Sequence, residues 1–259
     1  MKVHVNNISG LDDALVALHI SKRHLTEEFE NGIRQMCCLV ISPFGVLNSR
    51  EKVLDFEKEP LLDYSREMLE EAYTAFQRML EKLCKYGQKH ITLLKFIDIS
   101  VTVYGLHRAG QDDWDSHAKR FDNRIVREST RLAEFGESEK SAYYAEKIRT
   151  TEEVLKALGI ELPENYTDEN GKVWVKEDGG YVAEEMTGKQ DVRRGLYRLC
   201  IPSTFIFKVN LAEWAHVYRE RCAAGNAHPE VKELAEAIQD AIEQAVPMFN
   251  REWLAGVTQ

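Results

Sequence analysis

A mixed α/β (α+β) fold in a single domain spanning residues 1–259 is what this sequence predicts, and three observations predict it. Residues 60–86 carry one apolar stripe at helical spacing. Residues 91–105 alternate in hydrophobicity like a strand. A second strand, FIFKV at 205–209, is followed at once by two amphipathic helical patterns. Helix and strand periods interleaved in one chain place it in the mixed class.

The first element, residues 11–42, reads as helical, with Leu15, Leu18, His19, Phe29, Ile33 and Met36 near helical spacing. In 60–86 the stripe runs through Leu61, Leu62, Met68, Leu69, Ala72, Tyr73, Phe76, Met79, Leu80, Leu83 and Cys84, and Gly87 supplies a stop. Ile91, Leu93, Ile97, Ile99, Val101 and Val103 then share one parity, with Leu94 and Phe96 on the other. Residues 117–158 are charge-rich and read as helical, with Tyr143, Tyr144, Ile148, Val154, Leu155 and Leu158 as a weak apolar face; Gly159 and Pro163 end the run. Residues 159–189 read as an exposed insertion built on a hairpin, because Asn170-Gly171 and Gly179-Gly180 flank short Val/Trp segments. A short helix is expected over 191–201, ended by Pro202. After the strand at 205–209 come helices over 211–222 and 229–245, the second opened by Pro229. No internal repeat, low-complexity segment or domain boundary is evident.

Bulk composition bounds the function. The chain is 44% hydrophobic and 30% charged, as a globular protein is. A net charge of −9 and the lack of any Lys/Arg block argue against a general nucleic-acid binder. A few arginines in a cleft would still hold a small anion. Cys37, Cys38, Cys84, Cys200 and Cys222 include no Cys-x-x-Cys pair, so no structural zinc site is expected. An odd cysteine count, with no secretion signal at the start, suggests a reducing cytoplasm. No apolar run approaches the roughly 20 residues that span a bilayer.

The chemistry-bearing residues cluster in two stretches. LHRAGQDDWDS, residues 106–116, closes the long strand with His107 and Arg108 side by side. They are either polar residues meeting water or an anion or cofactor site: Arg offers a planar donor fork, His a tunable donor and acceptor. Asp112, Asp113, Asp115 and His117 could ligate a metal, but in neither EF-hand nor zincin spacing, so a solvated acidic loop and no metal is the reading. In VNLAEWAHVYRER, Asn210 is a good helix N-cap and Arg221 follows eleven residues later. Eleven residues are close to three α-helical turns, which would put both on one face roughly 16 Å apart. Arg219 and Arg221 read equally as a solvated face. Asn226 and His228 sit in a turn between helices. G-x-G-x-x-G, P-loop and G-x-S-x-G motifs are absent, so any nucleotide or flavin is bound outside those schemes. Cys37 and Cys38 read as core packing.

Together these stretches resemble the flavin-dependent thymidylate synthases (ThyX). That family's signature is Arg-His-Arg, seven residues, then Ser, at the end of a long apolar strand; here it is Leu106-His107-Arg108, AGQDDWD, Ser116. FKVNLAEWAHVYRER followed by AHPEVKELAEAI resembles the family's strand, Asn-headed helix with a late Arg, and last helix. Arg198-Leu-Cys-Ile-Pro202 resembles Arg-x-x-Leu-Pro. The resemblance covers roughly 76–121 and 191–245.

It implies a central, mostly antiparallel sheet flanked by helices, and a homotetramer with shared active sites. It also implies a reaction: a methylene group from methylenetetrahydrofolate is attached to C5 of dUMP, with FAD reduced by NADPH supplying the hydride. By position, it assigns His107, Arg108, Asn210 and Asn226 to FAD and Arg120, Arg198 and Arg221 to the nucleotide. Ser116 falls at the pyrimidine as the catalytic residue. Several family contacts are replaced: the first signature Arg is Leu106, the Gln three residues earlier is Val103, the Gly-His-x-Thr/Ser motif is Gly87-Gln88-Lys89, and the tail Gln is His228. Those replacements keep two further readings in play, an FAD-dependent C5-methylase of another pyrimidine nucleotide such as UMP, and a ThyX-like protein that binds without catalysis.

Overall fold

Four strands line up in the order β1-β2-β7-β3. They are β1 (Lys2–Ser9), β2 (Asp98–His107), β7 (Pro202–Asn210) and β3 (Arg124–Arg127). The computed structural model describes residues 1–20, 25–59, 64–116, 124–129, 139–177, 179–189, 192, 195–223 and 227–257. Helices and antiparallel sheet make up the fold, in the class the sequence predicts. Two compact units are distinguished: Met1–Lys2, Val103–Ser116 and Val126–Phe205 form the first, and Val3–Thr102, His117–Ile125 and Ile206–Gln259 the second.

The second unit holds the large apolar core. Its helices are α1 (Leu11–Ile20), α2 (Glu27–Val40), α3 (Arg50–Leu54), α4 (Arg66–Gly87), α8 (Leu211–Tyr218), α9 (Pro229–Ala245) and α10 (Arg251–Ala255). The predicted stripe of 60–86 becomes α4, capped by Ser65, whose side chain accepts from the Met68 amide. Leu69, Phe76, Leu80 and Leu83 on this helix are fully buried, beside Leu15 and Leu18 of α1 and Ile33 of α2 in the same core. The helical reading of 11–42 resolves into α1 and α2, the second capped by Thr26. Gly10, ahead of α1, has φ 79°, and a Cβ there would lie 2.0 Å from the Phe96 carbonyl oxygen, so only glycine fits.

The strand expected from residue 91 begins later. Ile91–Phe96 is a 3-10 helix and β2 starts at Asp98. Leu93 and Leu94 are both buried. Neighbours in a strand face opposite sides, whereas a helical turn can bury both. Beyond it, Ile97, Ile99, Val101 and Val103 are buried in alternation as predicted.

The first unit is thinner. It contains α5 (Arg108–Ser116), α6 (Ala142–Ala145), α7 (Thr151–Ala157) and a separate antiparallel sheet in the order β4-β5-β6. The helix expected over 117–158 is not continuous in its described parts, which hold β3 and two short helices, in keeping with a weak apolar face. The expected hairpin is a three-stranded sheet, β4 (Asn165–Thr167), β5 (Val173–Glu177) and β6 (Gly180–Ala183). Both turn signals hold: Asp168 Oδ1 accepts from the Asn170 and Lys172 amides at the first turn, and Gly179 takes φ 93° at the second. The helix expected over 191–201 is not seen in 195–201, which is turn and irregular backbone. Pro202 opens β7 instead of ending a helix, a position where its missing N–H is tolerated.

Candidate active site

The end of β2 and the first turn of α5 place His107 and Arg108. The stretch read as an acidic loop is the nine-residue helix α5. A helix start leaves orphan amide donors. Here Arg108 N donates to Ile201 O at 3.0 Å and Ala109 N to Leu199 O at 3.1 Å. Arg108 Nη1 donates to the Glu128 carbonyl at 3.3 Å, and the Glu128 carboxylate accepts from Thr204 N at 3.0 Å. One arm of the guanidinium fork is thereby aimed by β3 and β7.

His107 is 3% exposed. A Cβ on Gly110 would lie 2.5 Å from His107 Cε1, so the ring seats directly on α5 where a side chain is missing. Tyr144 of α6 packs edge-on against the imidazole at 5.2 Å, and Tyr143 packs edge-on against Tyr144 at 5.0 Å. Lys147 Nζ sits 3.7 Å over the Tyr143 ring. None of this aromatic support is visible in the signature itself.

Two of the acidic residues of α5 are engaged by one arginine. Arg127 of β3 holds Asp112 at 2.5 Å and Asp115 at 2.6 Å, and Trp114 between them is buried. The solvated-loop reading is corrected: three-residue spacing on a helix points both carboxylates at one guanidinium. Ser116 is the last residue of α5. Its side chain lies outside the described residues, as do His117, Arg120 and Asn226.

In the second unit, Asn210 caps α8. Its Oδ1 accepts from Glu213 N at 2.9 Å, and Leu211 N donates to Ile97 O at 2.7 Å. Arg221 is 4% exposed, so it is not on a solvated face. The expected three α-turns between the two are not continuous: α8 ends at Tyr218 and Arg219–Ala223 is a π turn. A π turn inserts residues relative to the 3.6 period, so the shared-face argument fails. Arg219 donates to the Val257 carbonyl at 2.9 Å. Arg198, in the first unit, is half-buried in irregular backbone.

Where the chain departs from the family pattern, the replacements have structural work. Leu106 and Val103 are 0% exposed. Gln88 donates to the Trp253 carbonyl at 2.8 Å. His228 caps α9, its Nδ1 accepting from Glu230 N at 3.2 Å. The cysteine pair divides: Cys37 is buried, and burial pushes its thiol up to about 12, while Cys38 is exposed.

The residues sequence reasoning missed are Gly110, Gln111, Arg127, Glu128 and Tyr144. Gly110 and Gln111 lie in the signature's variable spacer; the others come from 124–145, where the apolar pattern is weak. A cavity of about 630 Å³ between α2 and α4 in the second unit contains none of the predicted site residues. The converging polar groups at β2 and α5 mark the site better than that apolar space.

A family model described as thymidylate synthase complementing protein matches residues 50–248. No curated protein sequence matches. Two crystal structures of ThyX from Helicobacter pylori, both with FAD and dUMP, are similar in fold. One is 12% identical at a TM-score of 0.53, with 98% of this chain and 99% of that chain covered. The other is 13% identical at 0.51, with 94% and 96% covered. Such low identity speaks for the fold, and the family match for descent. The chain belongs to the thymidylate synthase complementing protein family, the ThyX proteins.

Proposed function

We propose that this chain is a flavin-dependent thymidylate synthase that methylates C5 of dUMP, with methylenetetrahydrofolate as carbon donor, FAD as the redox cofactor and NADPH as its reductant. The observation that carries the reading is the family match over 50–248 with His107 and Arg108 held at the β2–α5 junction inside it. The residues fit a flavin there: a guanidinium with one arm fixed, an imidazole seated on Gly110, and a buried Gln111 amide with no hydrogen-bond partner among the described residues. When bound, FAD supplies the hydride that completes the methyl group.

The chain's own residues position and polarise. His107 and Arg108 hold the flavin, with Asn210 and Asn226 as further contacts. Arg120, Arg198 and Arg221 neutralise the nucleotide phosphate, a job suited to planar donor forks. Ser116 orients the pyrimidine at the carbon that reacts. The enzyme acts in the cytoplasm as a homotetramer, which would complete each site. Among the described residues no helix is long and apolar enough to cross a membrane.

Leu106 favours one alternative, the same chemistry on another pyrimidine nucleotide such as UMP, because a buried leucine cannot provide the charge of the signature arginine. Purified protein should be yellow, release FAD on denaturation, and release tritium from C5-labelled dUMP. Colourless protein that takes up no added FAD would sink the flavin reading. Turnover of UMP with none of dUMP would select the alternative.

A further inference from the structure

The Gln111 side chain is 0% exposed, and among the described residues neither its Oε1 nor its Nε2 meets a hydrogen-bond partner. Buried amides are almost always paired, because an orphaned group keeps its full desolvation cost. Gln111 lies three residues after Arg108 on α5, so the two share a side of that helix, and His107 closes β2 one residue before it. A second orphan sits close by in the chain's packing. The Ser141 hydroxyl is buried and unpaired; Ser141 is three residues before Tyr144, whose ring covers His107. Its own amide donates to Cys200 O, in the segment whose neighbouring carbonyls receive Arg108 and Ala109. Unsatisfied polarity in the first unit thus gathers around the histidine of the signature.

We propose that Gln111 reads the imide edge of a bound ring, so that its orphaned amide is satisfied only in the complex. A primary amide presents one acceptor beside one donor, the complement of the N–H and C=O pair of an imide. Both the isoalloxazine ring and uracil carry that edge, and the inference rests on the flavin-enzyme reading above. Since the amide is sealed in the chain as it stands, binding must open the packing around α5. Gln111 is then a specificity residue whose cost to the free protein is recovered in the bound one.

Gln111→Met and, separately, Gln111→Leu test this by thermal melts and by titration with FAD and with dUMP. Without ligand, both variants should melt at or above wild type, because the orphaned amide is gone. With ligand, Kd should rise about ten-fold for the ring that Gln111 reads, the usual scale of a lost hydrogen bond. Loss with FAD assigns the flavin imide; loss with dUMP assigns the uracil imide. Unchanged affinity for both ligands overturns the inference. So does a lower melting temperature, or failure of both variants to fold, since either shows that the fold itself, or a buried water, satisfies the amide. Wild type that responds to neither ligand overturns the flavin reading and this inference with it.

Discussion

One buried glutamine in each unit meets its polar needs differently. In the second unit, Trp214 Nε1 donates to Gln239 Oε1 at 2.8 Å, and Gln239 Nε2 donates onward to the Phe249 carbonyl at 2.7 Å, all within the fully buried core. Gln88 and Asn210 are likewise spent on the Trp253 carbonyl and the α8 cap. In the first unit the Gln111 amide and the Ser141 hydroxyl stay orphaned, and His107 rests on aromatic edges. One glutamine, Gln239, ties elements together; the other, Gln111, waits unpaired beside the signature. The difference teaches where stability and chemistry are kept. The packed helices of the second unit supply stability that can tolerate an unsatisfied amide elsewhere.

The largest break in this comparison should come from the packed side. Phe76 is 0% exposed in the middle of α4. Phe76→Ala removes a buried ring and leaves a cavity, which should cost about 3–5 kcal/mol of stability. A denaturation midpoint followed by circular dichroism would check it. A loss under about 1 kcal/mol would mean that the helix core collapses around the gap and is not the rigid half described here.

Gly110 is the sharper instrument, because it acts on the site. Alanine there places a methyl group 2.5 Å from His107 Cε1, and Tyr144 hinders the ring from swinging aside. Overpacking of this kind should cost about 1–3 kcal/mol and weaken FAD binding by displacing the imidazole. Flavin-fluorescence titration beside a melt separates the two effects. Full FAD affinity in Gly110→Ala would remove His107 from the flavin contacts.

How much of this could be read in the sequence follows the same division. Where one face of a helix is buried, as in α2, α4 and α9, periodicity reveals it. Where burial is partial, it does not. Lys2–Ser9 is an edge strand with only Ile8 buried; its alternation over Lys2–Val5 breaks at Asn6-Asn7, and Asn6 bonds to Thr102 at 2.9 Å in place of an apolar contact. Leu93 and Leu94 are adjacent and both buried, which strand parity misreads. Among the candidate residues, His107 and Arg108 stand out within one short stretch, and Asn210 by its place between a strand and a helix. The Tyr144 ring on His107 and the Arg127 clamp on Asp112 and Asp115 join distant positions, and no local pattern encodes a contact across that separation.

Asn210 asks whether a residue can serve both purposes. Its side chain already caps α8. Asn210→Ala should lose about 1 kcal/mol from the cap alone. Asn210→Asp keeps the accepting oxygen and should restore that stability while still impairing FAD binding, because the amide donor is gone. If Asp rescues both properties, Asn210 is a cap only and the flavin contact assigned to it falls away.

The smallest effect concerns acid. Among described carboxylates displaced downward, Glu153, Asp168 and Glu185 lie in the first unit and Glu51 in the second. Glu153 is held at about 2, chiefly by its hydrogen bond from Lys140 and then by the Thr150 amide in the α7 capping box. The sign follows from proton counting. A folded carboxylate with a depressed pKa binds fewer protons than the unfolded one, so its stabilisation is present above the ordinary carboxylate range and fades as pH falls toward 2. Amide hydrogen exchange from neutral pH down to about pH 3 should therefore show 139–158 losing protection before the α4 core, after correction for intrinsic rates. Lys140→Met removes the principal cause of the shift and should flatten that part of the pH dependence at a small stability cost. An unchanged pH profile in the variant would place the acid sensitivity of the first unit elsewhere, at Asp168 in the β4–β5 turn.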